Sequence, residues 1–72
     1  SKKLSYKDQR ELEGMEAAIE AAETRKAELE AVLADPQTYV TRASEVAALQ
    51  QGLAAAAAEV DRLYARWSEL GG

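Results

Sequence analysis

Two sets of side chains in this sequence could do chemistry. Glu11, Glu13, Glu16, Glu20 and Glu23 recur at helical spacing, and carboxylates along one helix face can hold a divalent cation. Lys2, Lys3, Lys7 and Arg10 lie near the start, and Arg62 and Arg66 near the end, with Tyr6, Tyr64 and Trp67 in the same two stretches. Cations interleaved with aromatic rings suit phosphate contacts and base stacking. The carboxylate set is read as a solvated acidic face. Helical carboxylate metal sites pair Glu with His, and the chain has no His and no Cys. Their absence also removes the commonest general base and any thiolate ligand. There is no glycine-rich phosphate loop and no nucleophile beside a base. The expectation is therefore no catalytic residue, no metal and no cofactor in this segment. A smaller set, Arg25, Lys26, Tyr39 and Arg42, offers a second group of phosphate contacts, of which Arg42 is the best placed. Arg25 and Lys26 fit better as partners of neighbouring glutamates. Trp67, with Tyr64 beside it, fits a core position better than a stacking one.

These side chains need a scaffold, and 72 residues allow one small domain with little buried surface. The chain carries 13 acidic and 9 basic residues, a net charge of −4, so any phosphate contact depends on where the positive charge gathers. Ala, Glu, Leu, Lys and Arg dominate, and there is no Phe. That composition favours long helices over a sheet. Leu12, Met15, Ile19, Ala22, Lys26, Leu29 and Leu33 follow steps of three and four, a heptad seam interrupted by Lys26. Val46, Leu49, Leu53, Ala56, Val60, Leu63, Trp67 and Leu70 repeat the pattern, and Gly71 and Gly72 end it. The expected fold is all-α: a two-helix antiparallel coiled-coil hairpin with a short helical turn at its tip. The helices are placed at about 5–34 and about 43–70, with the tip at 35–42 and one domain over 1–72.

Ser5 is the expected N-cap, with Asp8 completing a capping box. Asp35 before Pro36 ends the first helix, because the proline ring pushes residue 35 out of the α region. Pro36 then opens a helical turn capped by Asp35, with Tyr39 folded onto the tip. The second helix is expected to take its cap from Thr41 or Ser44. A short connection makes the helices antiparallel neighbours. Matching their free ends pairs Ser5 with Leu70, Leu12 with Leu63, Met15 with Val60, Ile19 with Ala56 and Ala22 with Leu53. A one-heptad shift would instead pair Ile19 with Leu63 and Met15 with Trp67. The arm would be about 45 Å long. Gly14 inside the first helix and the alanines at 54–58 weaken the hairpin. No apolar run approaches the roughly 18 residues needed to cross a bilayer, and nothing looks like a signal peptide. The expectation is a cytoplasmic protein with no membrane partner.

The segments also resemble a known family. Lys3-Leu4-Ser5-Tyr6-Lys7-Asp8-Gln9-Arg10-Glu11-Leu12-Glu13, then Leu33-Ala34-Asp35-Pro36 with Tyr39 and Glu45-Val46-Ala47-Ala48-Leu49, then Leu63-Tyr64-Ala65-Arg66-Trp67-Ser68-Glu69-Leu70 are similar to the C-terminal coiled-coil domain of ABC-F ATPases of the Uup type. The resemblance covers nearly the whole chain in order. It implies a C-terminal piece of a cytoplasmic ATPase with two ATP-binding cassettes in tandem and no transmembrane domain. ATP and Mg would belong to those cassettes. Family members act on ribosomes and translation, and the Uup type is also linked to DNA repair. The resemblance thus implies a nucleic-acid-binding accessory arm for DNA or ribosomal RNA, and the charge pattern places its contacts at Lys2, Lys3, Lys7, Arg10, Arg62 and Arg66. Where the family often has Asp-Pro before the second helix, this chain has Arg42-Ala43. The rival expectation is a protein-interaction or regulatory arm that docks on a partner or on the parent's cassettes. The chain is read as a monomer whose seam could also pair between copies.

Overall fold

The computed structural model describes residues 4–71. They form an all-α structure with no strand among the described residues. A long helix, α1 (Tyr6–Ala34), is followed by one short helical turn, α2 (Thr38–Thr41), and a 3-10 turn over Ala43–Glu45. That turn runs directly into the second long helix, α3 (Val46–Glu69).

Ser5 starts α1. Its backbone is extended and its side chain accepts from the Asp8 N–H at 3.1 Å, which satisfies one of the donors a helix start leaves free. Asp8 itself turns to Arg66, so only half of the capping box forms. At the other end Asp35 is extended, with φ −81° and ψ 118°, as its position before Pro36 requires. Its carboxylate accepts from the Gln37 N–H at 2.9 Å, and its carbonyl accepts from the Thr38 N–H. Asp35 thus caps the turn over Pro36 and Gln37, while α2 itself starts from Gln37 with no side-chain cap. The expected cap for the second helix is corrected. Neither Thr41 nor Ser44 caps it, because the 3-10 turn feeds straight into α3 and the Thr41 hydroxyl donates to the Gln37 carbonyl instead.

α1 and α3 pack along a narrow apolar seam. Met15, Ile19, Leu63 and Leu70 are buried together, with Leu4, Leu12, Ala22 and Trp67 packed against them. Leu29, Ala56 and Val60 are buried further along. Each large apolar side chain so covered contributes roughly 1.5–3 kcal/mol. Contacts across the seam set the offset of the two helices. Arg66 meets Glu11 and Asp8, Tyr64 meets Glu23, and a Cβ added at Gly52 would touch Leu29 at 3.6 Å. The last two contradict the pairing of Ser5 with Leu70, which would separate Tyr64 from Glu23 by about 18 Å along the axis, whereas the Arg66 contacts fit either pairing. They agree with the heptad-shifted pairing of Ile19 with Leu63 and Met15 with Trp67. The physical reason lies in the connection. The connection ties Ala34 to Val46 and so sets the offset from that end, while at the other end Leu4 packs against the cluster that holds Leu70. Gly71, with φ 89°, closes α3 by donating its N–H to the Ser68 carbonyl. The whole structure measures 54 × 15 × 15 Å.

Candidate nucleic-acid interface

The proposed basic end combines the first turns of α1 with the last turns of α3. Lys2 and Lys3 lie outside the described residues. Lys7 and Arg10 are exposed on α1. Arg10 donates to the Tyr6 hydroxyl at 2.9 Å, and its guanidinium lies 5.8 Å from the centre of that ring. Neither Lys7 nor Arg10 is in an ion pair among the described residues.

Arg62 and Arg66 are differently placed. Arg62 forks onto Glu59, one turn earlier, at 2.7 and 2.8 Å. That bond holds the Glu59 carboxyl below its ordinary range and raises the Arg62 guanidinium. Arg66 is half-buried between the helices. It donates to both oxygens of Glu11 at 2.7 and 2.9 Å, to Asp8 at 3.3 Å and to Glu69 at 3.4 Å. The hydrogen bond that Arg66 donates to Glu11 is the main cause of a raised Arg66 pKa, and it holds Glu11 low in turn. A guanidinium with this many carboxylate partners has few donors left for phosphate. Its effect on the surface is indirect: it draws Glu11 and Asp8 towards α3 and offsets one of the negative charges that lie near Lys7 and Arg10.

The sequence reading treated Glu11 and Glu23 as part of a solvated face, and it missed these bonds. Glu11 and Arg66 each precede an a position of their heptad seams, while Glu23 and Tyr64 each follow a d position. Such flanking pairs meet across a seam, and the shifted pairing would have revealed them. Tyr64 donates to Glu23 at 2.9 Å, which raises its hydroxyl pKa, and its ring lies 6.2 Å from Trp67. Trp67 is half-buried against the core, in the position expected of a seam residue.

The second basic set does not gather into a patch. Arg25 is exposed on α1 and Lys26 half-buried beside the seam. Arg42 bonds Glu45 at 2.9 Å, raising the one pKa and lowering the other. Tyr39 folds back as expected and donates to the Leu33 carbonyl at 2.6 Å, while buried Thr38 donates to the Val32 carbonyl at 2.6 Å. Both hydroxyls satisfy carbonyls that the end of α1 would otherwise leave free. Val40, 76% exposed, is left facing outward. Among the described residues no group of three or more His, Cys, Asp or Glu could hold a metal ion, and no helix is long and apolar enough to cross a membrane.

Charge is distributed unevenly. Residues 1–10 carry four basic side chains and one acidic; residues 11–72 carry five basic and twelve acidic. Positive charge therefore gathers at one end of a chain that is otherwise negative.

Residues 3–71 match the family described as the ABC transporter C-terminal domain. Two relatives from Haemophilus influenzae, an "ATP-binding protein Uup-like" and an "ATP-binding protein Uup", are each 40% identical over 70 residues, or 97% of this chain. The chain spans 15% and 11% of their lengths. No solved structure matches the chain at a comparable level.

Proposed function

The chain belongs to the ABC transporter C-terminal domain family, and from that premise we propose that it is a non-catalytic nucleic-acid-binding accessory domain, for DNA or ribosomal RNA, of a cytoplasmic ABC-F ATPase. In this reading residues 1–72 form one domain, an antiparallel coiled-coil hairpin with its heptad seams in the shifted pairing. The larger protein hydrolyses ATP in its cassettes, where Mg also belongs. The residues of this chain do not fit that cofactor, since they include neither a glycine-rich loop nor an acidic cluster suited to the metal.

The observation that carries the reading is the excess of positive charge in the first ten residues, beside a Glu11 carboxylate already paired with Arg66. Lys2, Lys3, Lys7 and Arg10 make the phosphate contacts, and Arg62 and Arg66 flank them. Fluorescence anisotropy with labelled DNA and RNA, taken through a salt series, tests it. Affinity should fall steeply with salt, and reversing Lys3, Lys7 and Arg10 to Glu should abolish binding. Absence of binding to either nucleic acid at low salt would refute the reading.

The second reading, a docking arm for a partner protein or for the parent's cassettes, draws on one observation: Val40 and Tyr39 are 76% and 47% exposed at the connection. It expects Val40→Asp to break a complex with the cassettes while leaving nucleic-acid binding intact.

A further inference from the structure

Four aromatic side chains are available to meet a ligand, and three are already engaged. Trp67 packs against the core. Tyr64 is tied to the Glu23 carboxylate, an unfavourable neighbour for a phosphate. Tyr39 is bonded to a backbone carbonyl, and the cation closest to it in sequence, Arg42, is paired with Glu45. Tyr6 differs on each count. It is 73% exposed, it stands at the first position of α1, and its hydroxyl is held by a cation. The bond from Arg10 fixes the ring's direction and leaves most of its surface open to solvent.

We infer that Tyr6 is a stacking platform for an unpaired base, with Arg10 and Lys7 taking the phosphates on either side, so that the basic end prefers single-stranded over duplex nucleic acid. The inference rests on the nucleic-acid reading above and specifies which form of nucleic acid is bound. An aromatic ring offers its face to any base, whereas in a duplex the base faces are already stacked on each other. Orienting the ring in advance lowers the ordering cost of binding. A cation fixed beside the ring stands where the backbone of a stacked nucleotide passes.

The test compares oligo-dT, oligo-rU, an abasic strand of equal length and a DNA duplex, by anisotropy at low salt, using the chain and its Tyr6→Ala and Tyr6→Phe variants. Tyr6 is exposed, so both variants should keep the helical circular dichroism of the original. The expected result is that Tyr6→Ala weakens both single strands about tenfold and leaves the abasic strand and the duplex within about twofold, while Tyr6→Phe retains most of the affinity. Preference for dT or rU then tells DNA from RNA. Equal binding of single strand and duplex, or a Tyr6→Ala variant that binds oligo-dT and oligo-rU as well as the original, overturns the inference while the nucleic-acid reading stands. Absence of binding to every probe overturns both.

Discussion

Between Asp35 and Glu45, each side-chain hydrogen bond joins residues no more than six apart, whereas Tyr64 and Arg66 reach partners 41 to 58 positions away. The connection is thus built from local chemistry. A proline sets the backbone, an aspartate caps the turn, and two hydroxyls close the end of α1. The basic end depends on long-range alignment, because Glu11 and Asp8 meet Arg66 only when α3 lies beside α1 with the correct offset. Damage to the seam should therefore disorganise the basic end first, while the connection keeps much of its local structure.

The largest expected effect comes from Leu63→Ala. Leu63 is 6% exposed in the cluster shared by the two helices, and its truncation should cost about 2–5 kcal/mol. Urea unfolding followed by circular dichroism would show this as a large drop in midpoint. A midpoint unchanged by this variant would mean the seam does not hold the helices together.

Next comes acid sensitivity. The Glu11 carboxyl is depressed in the folded state by Arg66. Its contribution is therefore present above the ordinary carboxylate value of 4.5 and is lost as pH falls through the lower folded value. The Tm of the original should fall on acidification below that point more steeply than that of Arg66→Gln. Arg42→Gln, which breaks an exposed pair within one turn, should leave Tm at neutral pH almost unchanged. Equal effects from the two arginines would erase the contrast between the two regions.

A smaller effect belongs to the connection. Thr38→Val keeps the shape of a buried side chain and removes its bond to the Val32 carbonyl, at about 1 kcal/mol. The smallest has the opposite sign. A Cβ at Gly14 meets nothing within 4 Å, so Gly14→Ala should raise stability by roughly 0.5–1 kcal/mol. A loss there would reveal a contact on that face of α1.

What was legible in the sequence follows the same division. Ser5, the Asp35-Pro36 pair and the folding back of Tyr39 could be read because each acts on atoms a few residues away. The two seams were legible from their spacing. Their offset was not, because heptads slide past one another in steps of seven at little cost in pattern, and matching the free ends chose the wrong step. Arg62 and Arg66 were grouped with the lysines on charge alone. The carboxylates that engage them become evident only from Glu59 one turn away and from Glu11 across the seam.

The elongated shape bears on how this protein is weighed. The Cα radius of gyration is 16.2 Å, against about 11 Å for a compact chain of this length. A compact protein with that radius would have roughly 190 residues. In size-exclusion chromatography a single copy should therefore elute earlier than a compact protein of its mass. Mass must come from light scattering or sedimentation equilibrium before any elution shift on adding an oligonucleotide is taken as a change in stoichiometry.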